Sequence, residues 1–164
     1  MNEPLIKMPP AVNDGEYLLN NRIFFRLFQL GNVLQRQSVS ELGVTTVQWA
    51  VLGALSQERY RDGYQLRDLG EYLVVSRQNL DGVIKRLERD KLVERITDTA
   101  NKRNRLVRLT PKGRTFWQNL AGQINEFYNQ AAGHLRFDDR VALVHQLNRL
   151  QERLQTVEIT SGRK

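Results

Sequence analysis

The stretch RQNLDGVIKRLER, residues 77 to 89, sets amide and cationic side chains on one face of a helix and apolar ones on the other. With Leu80 at the zero of a helical wheel, at ~100° per residue, Ile84 and Leu87 fall within about 40° of it. Gln78, Gly82, Lys85 and Arg89 lie opposite, flanked by Asn79 and Arg86. An amide can pair bidentately with adenine, while guanidinium and ammonium groups suit guanine or phosphate. The chemistry on offer is therefore recognition of a nucleic-acid groove. Gly82 sits in the middle of this face, and a glycine inside a helix costs about 1 kcal/mol relative to alanine. Close approach by a groove floor accounts for that cost; an incidental glycine on a solvated face is the plainer alternative. Ser76, placed to cap this helix, and a cationic hairpin downstream weigh against the plainer reading.

The charge distribution agrees. Residues 65 to 114 carry thirteen Lys and Arg against seven Asp and Glu, which is +6 of the net +7 of the whole chain. A cation laid against a phosphate releases condensed counterions, so a basic block within folded sequence is the expected footprint of a nucleic-acid surface. Lys102, Arg103 and Arg105 crowd the polar run DTANKRNR. An arginine on a thin loop reaches into a narrow minor groove, where negative potential is concentrated; a solubilising hairpin tip would look the same if the preceding helix were absent.

The elements that position these groups can be read from periodicity. Gln65 to Leu73 and Ser76 to Asp90 are expected to be helices separated by Val74 and Val75, a helix-turn-helix. Val93 to Thr97 and Leu106 to Thr110 alternate as strands of a hairpin wing. Upstream, Thr45 or Thr46 caps a helix VQWAVLGALSQ whose apolar residues face two ways, so it must be buried on both sides. Pro111 opens a long helix in which Phe116, Leu120, Ile124, Phe127 and Ala131 share a face. Ile23, Leu27, Leu30 and Leu34 form a narrow stripe near one end of the chain. Leu143, Leu147, Leu150, Leu154 and Val157 form another near the other end, after Asp138 or Asp139 as cap. The stripes pack on each other within a monomer or interlock across a two-fold axis, and the completeness of the basic lobe between them favours the second. The expected organisation is an irregular arm at 1–15, a dimerisation helix at 16–44, a DNA-binding lobe at 45–110, dimerisation helices at 111–157 and a tail at 158–164. The fold class is mainly α with a small β wing.

The ordered strings LGEYLVVSRQ (69–78), LERDKLVER (87–95), NKR (101–103) and LVRLTPKG (106–113) resemble the MarR family of bacterial winged helix-turn-helix regulators. With the upstream GVTTVQWAVLGAL, the similarity spans roughly residues 16 to 155. The resemblance implies a homodimer built by the first and last helices, a recognition helix in the major groove and a wing arginine in the minor groove. By position, Ser76, Arg77, Gln78, Asn79 and Gly82 fall at groove-contacting sites and Arg103 at the wing arginine, with Lys85, Arg86, Lys102 and Arg105 alongside. Three positions depart from the family pattern. Asn101 replaces an aspartate that steadies the wing arginine, Gly70 stands where alanine is common, and Lys91 replaces the glycine that ends the recognition helix. At Lys91 either the turn differs or a lysine takes positive φ.

Seven of the thirteen aromatic residues lie between positions 17 and 64. Plain core is the ordinary explanation of such a cluster. The resemblance offers another, a cleft for a phenol or an aryl carboxylate, with Trp49 and Leu52 as walls and Phe25 beside them. Arg22, Arg26 and Gln29 share one side of the first helix, and an arginine there can pair bidentately with a carboxylate.

Composition removes other classes. Without cysteine there is no disulfide, thiol catalysis or thiol-oxidation sensing. His134 and His145, the only imidazoles, have no metal-site spacing of carboxylates around them. No phosphate loop or nucleophile elbow is present. The expectation is a non-enzymatic, cytoplasmic protein with no cofactor, no metal and no membrane span: a homodimeric repressor that binds a pseudo-palindromic operator in double-stranded DNA and is released by a small aromatic ligand. The alternative is a winged helix used as an architectural or protein-interaction module.

Overall fold

The computed structural model describes residues 14–98 and 105–159. Its elements are α1 (Asp14–Leu42), α2 (Thr46–Leu55), a 3₁₀ turn (Glu58–Tyr60), β1 (Tyr64–Gln65), α3 (Leu66–Leu73), α4 (Arg77–Arg89), β2 (Val93–Thr97), β3 (Arg105–Leu109), α5 (Pro111–Ala132) and α6 (Phe137–Leu154). Two compact units divide them, one reaching to Trp117 and the other beginning at Gln118. Among the described residues no helix is long and apolar enough to cross a membrane, and no group of three or more His, Asp or Glu could hold a metal ion.

The first unit is organised around α2. Thr45 caps it reciprocally with Gln48: Gln48 N donates to Thr45 Oγ1 (3.1 Å) and Thr45 N donates to Gln48 Oε1 (2.9 Å). Two orphan amide donors are satisfied at once. Gln35 of α1 receives the Thr46 hydroxyl (2.6 Å) and the Thr46 amide (3.0 Å), and buried Ser38 donates to Val44 O (2.7 Å), so α1 is tied to the start of α2. Val51, Leu52, Ala54 and Leu55 of α2 are buried, together with Leu69 of α3, Leu80, Val83, Ile84 and Leu87 of α4, and Val93, Val107 and Leu109 of the sheet. α2 is thus covered on two sides, as its apolar pattern requires.

The wing carries a third strand that the alternation pattern does not reveal. β1 pairs antiparallel with β3 through Tyr64↔Val107 and Gln65↔Leu106, giving the order β1-β3-β2. Two residues are too few for a period of two to show. Gly63 makes the pairing possible: its φ is +124°, and a Cβ there would fall 2.8 Å from Leu106 Cβ. The β2 strand matches expectation residue for residue, while β3 begins one residue earlier, at Arg105.

In the second unit Leu120 and Ile124 of α5 are buried, whereas α6 has no buried residue. The sequence offers Asp138 or Asp139 as the cap of α6. They lie instead in its first turn, behind Arg136, which makes no side-chain capping bond. Their carboxylates act there on the helix dipole rather than as caps.

Candidate nucleic-acid interface

The turn between α3 and α4 is closed by main-chain bonds. Val74 N donates to Glu71 O (3.2 Å) and Val75 N to Gly70 O (3.1 Å), with Val74 left-handed at φ 53° and ψ 42°. Ser76 then caps α4 by accepting from Asn79 N at 3.2 Å. An alanine in place of Gly70 would meet Leu80 and Val75 only at ordinary contact distances, so this departure from the family pattern is one of packing alone.

α4 separates its two faces as the wheel requires. Leu80, Val83, Ile84 and Leu87 are buried, while Arg77, Gln78, Asn79, Lys85, Arg86 and Arg89 are exposed. Beside Gly82 a Cβ would find nothing within 4 Å, so the centre of the exposed face is open. The helix ends in a Schellman-type turn: Leu92 N donates to Leu87 O and Lys91 N to Glu88 O, both at 2.9 Å. Lys91 takes φ 61°, the second of the two outcomes its sequence position allowed. Lys112 Nζ donates to Asp90 O at 2.9 Å, so a cation also satisfies this carboxyl-terminal end.

Sequence reasoning missed the charges that join α4 to the sheet. Asp81 accepts from Arg95 Nη2 of β2 at 2.7 Å through Oδ1, and pairs with Lys85 Nζ at 2.9 Å through Oδ2. Glu88, two turns along the same helix, lies 3.5 Å from Arg95 Nε. Lys85's hydrogen bond, helped by the nearby Arg95 charge, holds the Asp81 carboxyl below the ordinary carboxylate range. Two carboxylates seven residues apart, followed by an arginine on the helix-facing side of a strand, are the sequence signal for this cluster.

A groove of about 810 Å³ opens beside α4, with Leu66, Val75 and Leu80 among its apolar residues and Arg67, Arg77 and Arg105 among its cations. Arg105 stands at the first position of β3, opposite Thr97, and donates to its hydroxyl at 2.6 Å. Asn101, Lys102 and Arg103 lie outside the described residues. The expected ligand-site residues are distributed differently. Arg22, Phe25 and Arg26 are exposed on α1, with Arg26 Nη1 donating to Gln29 Oε1 at 3.1 Å. Trp49 is half-buried. Leu52 has no exposed surface; it packs in the lobe core instead of facing a cleft, because the side of α2 that bears it is covered too.

A family model described as MarR family matches residues 42–104. The chain is 40% identical over 149 residues to the transcriptional activatory protein BadR of Rhodopseudomonas palustris, covering 88% of this chain and 85% of that one. Among solved structures, a probable transcriptional regulator from Pseudomonas aeruginosa aligns with a TM-score of 0.70 at 28% identity, covering 80% of this chain and 98% of that one. BpsR of Bordetella bronchiseptica, whose structure concerns regulation of DNA binding by 6-hydroxynicotinic acid, aligns at 0.68 and 27%, covering 80% and 91%.

Proposed function

Because the chain belongs to the MarR family of DNA-binding transcriptional regulators, we propose that it acts as a homodimer that reads a pseudo-palindromic operator and yields it to a small aromatic acid. The observation that carries the DNA-reading part is the exposed face of α4, where Arg77, Gln78, Asn79, Lys85, Arg86 and Arg89 surround the open backbone at Gly82. The two amides read base edges and the cations hold phosphate. Lys102, Arg103 and Arg105 take the adjacent minor groove.

Dimerisation is supported by apolar surface that a lone chain leaves in water. Ile23, Phe24, Phe25, Phe28, Leu30 and Leu34 of α1 are exposed, as are Leu143, Leu147 and Leu154 of α6. Soluble monomers seldom leave such stripes uncovered. Two recognition helices related by a two-fold then meet one face of the DNA about one helical turn, ~10 bp, apart.

The aromatic effector is supported by the relation to BpsR and by Arg22 and Arg26, exposed on the same helix as Phe25. A dimer that blocks polymerase from one operator position can assist it from another, so the contact surface suits the repressor expected from the sequence and an activator such as the BadR relative.

The test begins with a randomised duplex pool selected by the full-length protein. A recovered two-fold motif supports the reading, and Gln78→Ala should then cost about 1–3 kcal/mol at one base position and relax preference there. Equal weakening of all sequences would remove α4 from the groove. Simple benzoates and cinnamates, titrated by Trp49 fluorescence against free protein and the operator complex, test the effector. By linkage, a ligand that releases DNA must bind the complex more weakly by the same factor. Equal affinities would make it a passenger.

A further inference from the structure

Asp81 and Glu88 both face Arg95, so one guanidinium of β2 spans two turns of the recognition helix. Arg95 is paired with Val107 in the β2–β3 ladder, and Val107 is fully buried. The guanidinium therefore starts from the rigid, helix-facing side of the sheet. Among the described residues its buried Nε has no hydrogen-bond partner, and the ion pair to Glu88 is what compensates that atom. The second Asp81 oxygen holds Lys85, whose side chain is 67% exposed and able to turn outward. There the Asp81 carboxylate offsets the Lys85 charge, which loss of the carboxylate would leave free for phosphate.

We propose that Asp81, assisted by Glu88, is a positioning residue for DNA selection, clasping Arg95 so that the recognition helix and the β2–β3 ribbon bear on DNA as one piece while Lys85 is held back from indiscriminate phosphate contact. The inference rests on the operator-reading function proposed above. A matching site requires helix and ribbon to meet their grooves simultaneously, and preorganisation lowers the cost of doing so. Random DNA has no such requirement, because its binding is almost wholly cation against phosphate. Releasing the clasp therefore loosens specific binding, while the freed Lys85 strengthens non-specific binding.

The experiment compares the full-length protein with Asp81→Asn on the duplex that the wild type selects from a random pool and on a shuffled duplex, across a range of salt. Asparagine keeps the size and one acceptor for Arg95 but removes the charge. The selected-to-shuffled affinity ratio should fall about tenfold, within the usual range for coupled neighbours, and the salt slope on shuffled DNA should steepen by about one cation. Arg95→Lys, which keeps the charge and loses the fork, should lower the ratio without steepening that slope. In a Lys85→Gln background Asp81→Asn should still lower affinity for the selected duplex while leaving the shuffled slope alone. Equal strengthening of both duplexes would reduce Asp81 to a bystander charge, and equal weakening would reduce it to a fold-stabilising residue; either overturns the proposal. Should the wild type enrich no sequence at all, the operator-reading function falls and the clasp with it; enrichment with an unchanged ratio overturns the clasp alone.

Discussion

Replacing Gly113 with alanine should unseat the wing from α5. The third residue of α5, Gly113 lies under the turn that leaves α4: a Cβ there would stand 2.8 Å from the carbonyl carbon of Leu92 and closer still to its oxygen. Carbon atoms pack at about 3.5–4.0 Å, so the two main chains must part by at least roughly 0.7 Å. Neither can yield cheaply. Leu92 O accepts from Thr110 N at 3.1 Å. The Thr110 hydroxyl donates to Lys91 O at 2.7 Å and accepts from Gly113 N at 2.9 Å, so the same displacement strains the cap of α5. Overpacking costs about 1–3 kcal/mol, and the upper end applies because main chain meets main chain. The helix-propensity gain of about 1 kcal/mol for Gly→Ala offsets part of it. A net loss of about 1–2 kcal/mol should appear in urea unfolding followed by far-UV circular dichroism, at fixed protein concentration because the stability of the proposed dimer would depend on it. Gly122→Ala, on the same helix with nothing within 4 Å of its Cβ, is the control and should gain up to about 1 kcal/mol. Equal stabilities for the two variants would refute the close approach.

Other perturbations test separate parts of the structure. Val74 (φ 53°) and Lys91 (φ 61°) are left-handed without being glycine, so Val74→Gly and Lys91→Gly should each move stability by no more than about 1 kcal/mol upward, relief of strain exceeding the entropy added to the unfolded chain. A fall in the urea midpoint would argue against left-handed backbone there. Replacing Leu147 and Leu150 together with Asp should leave a monomer or an unfolded chain in sedimentation, because a dry seam cannot hold unpaired charge; a stable dimer would exclude this seam. The Tyr60 hydrogen bond, with burial, pushes the Tyr64 phenol up to about 12 from 10.0. The folded state thus holds this proton more tightly, and its contribution, complete below about pH 10, disappears as pH rises to about 12. Tyr64→Phe should flatten that alkaline loss in the unfolding midpoint, and an unaltered profile would dissociate the loss from Tyr64.

Much of the candidate interface could be read from the sequence because its determinants are local. The faces of α4 follow from 3.6 residues per turn, Ser76 caps the helix by accepting from the Asn79 amide three residues on, and β2 shows its alternation over five residues. The resemblance to the family was carried by the ordered strings LGEYLVVSRQ, LERDKLVER, NKR and LVRLTPKG. Tertiary structure decided what depends on partners distant in sequence. β1 exists because β3 pairs with the two residues that follow Gly63, Asp81 and Arg95 stand fourteen residues apart in the chain but 2.7 Å apart in space, and Leu52 has no place at a cleft because both sides of α2 are covered. A helix face is encoded within a dozen residues, whereas a pairing is encoded only when the chain folds two segments into contact.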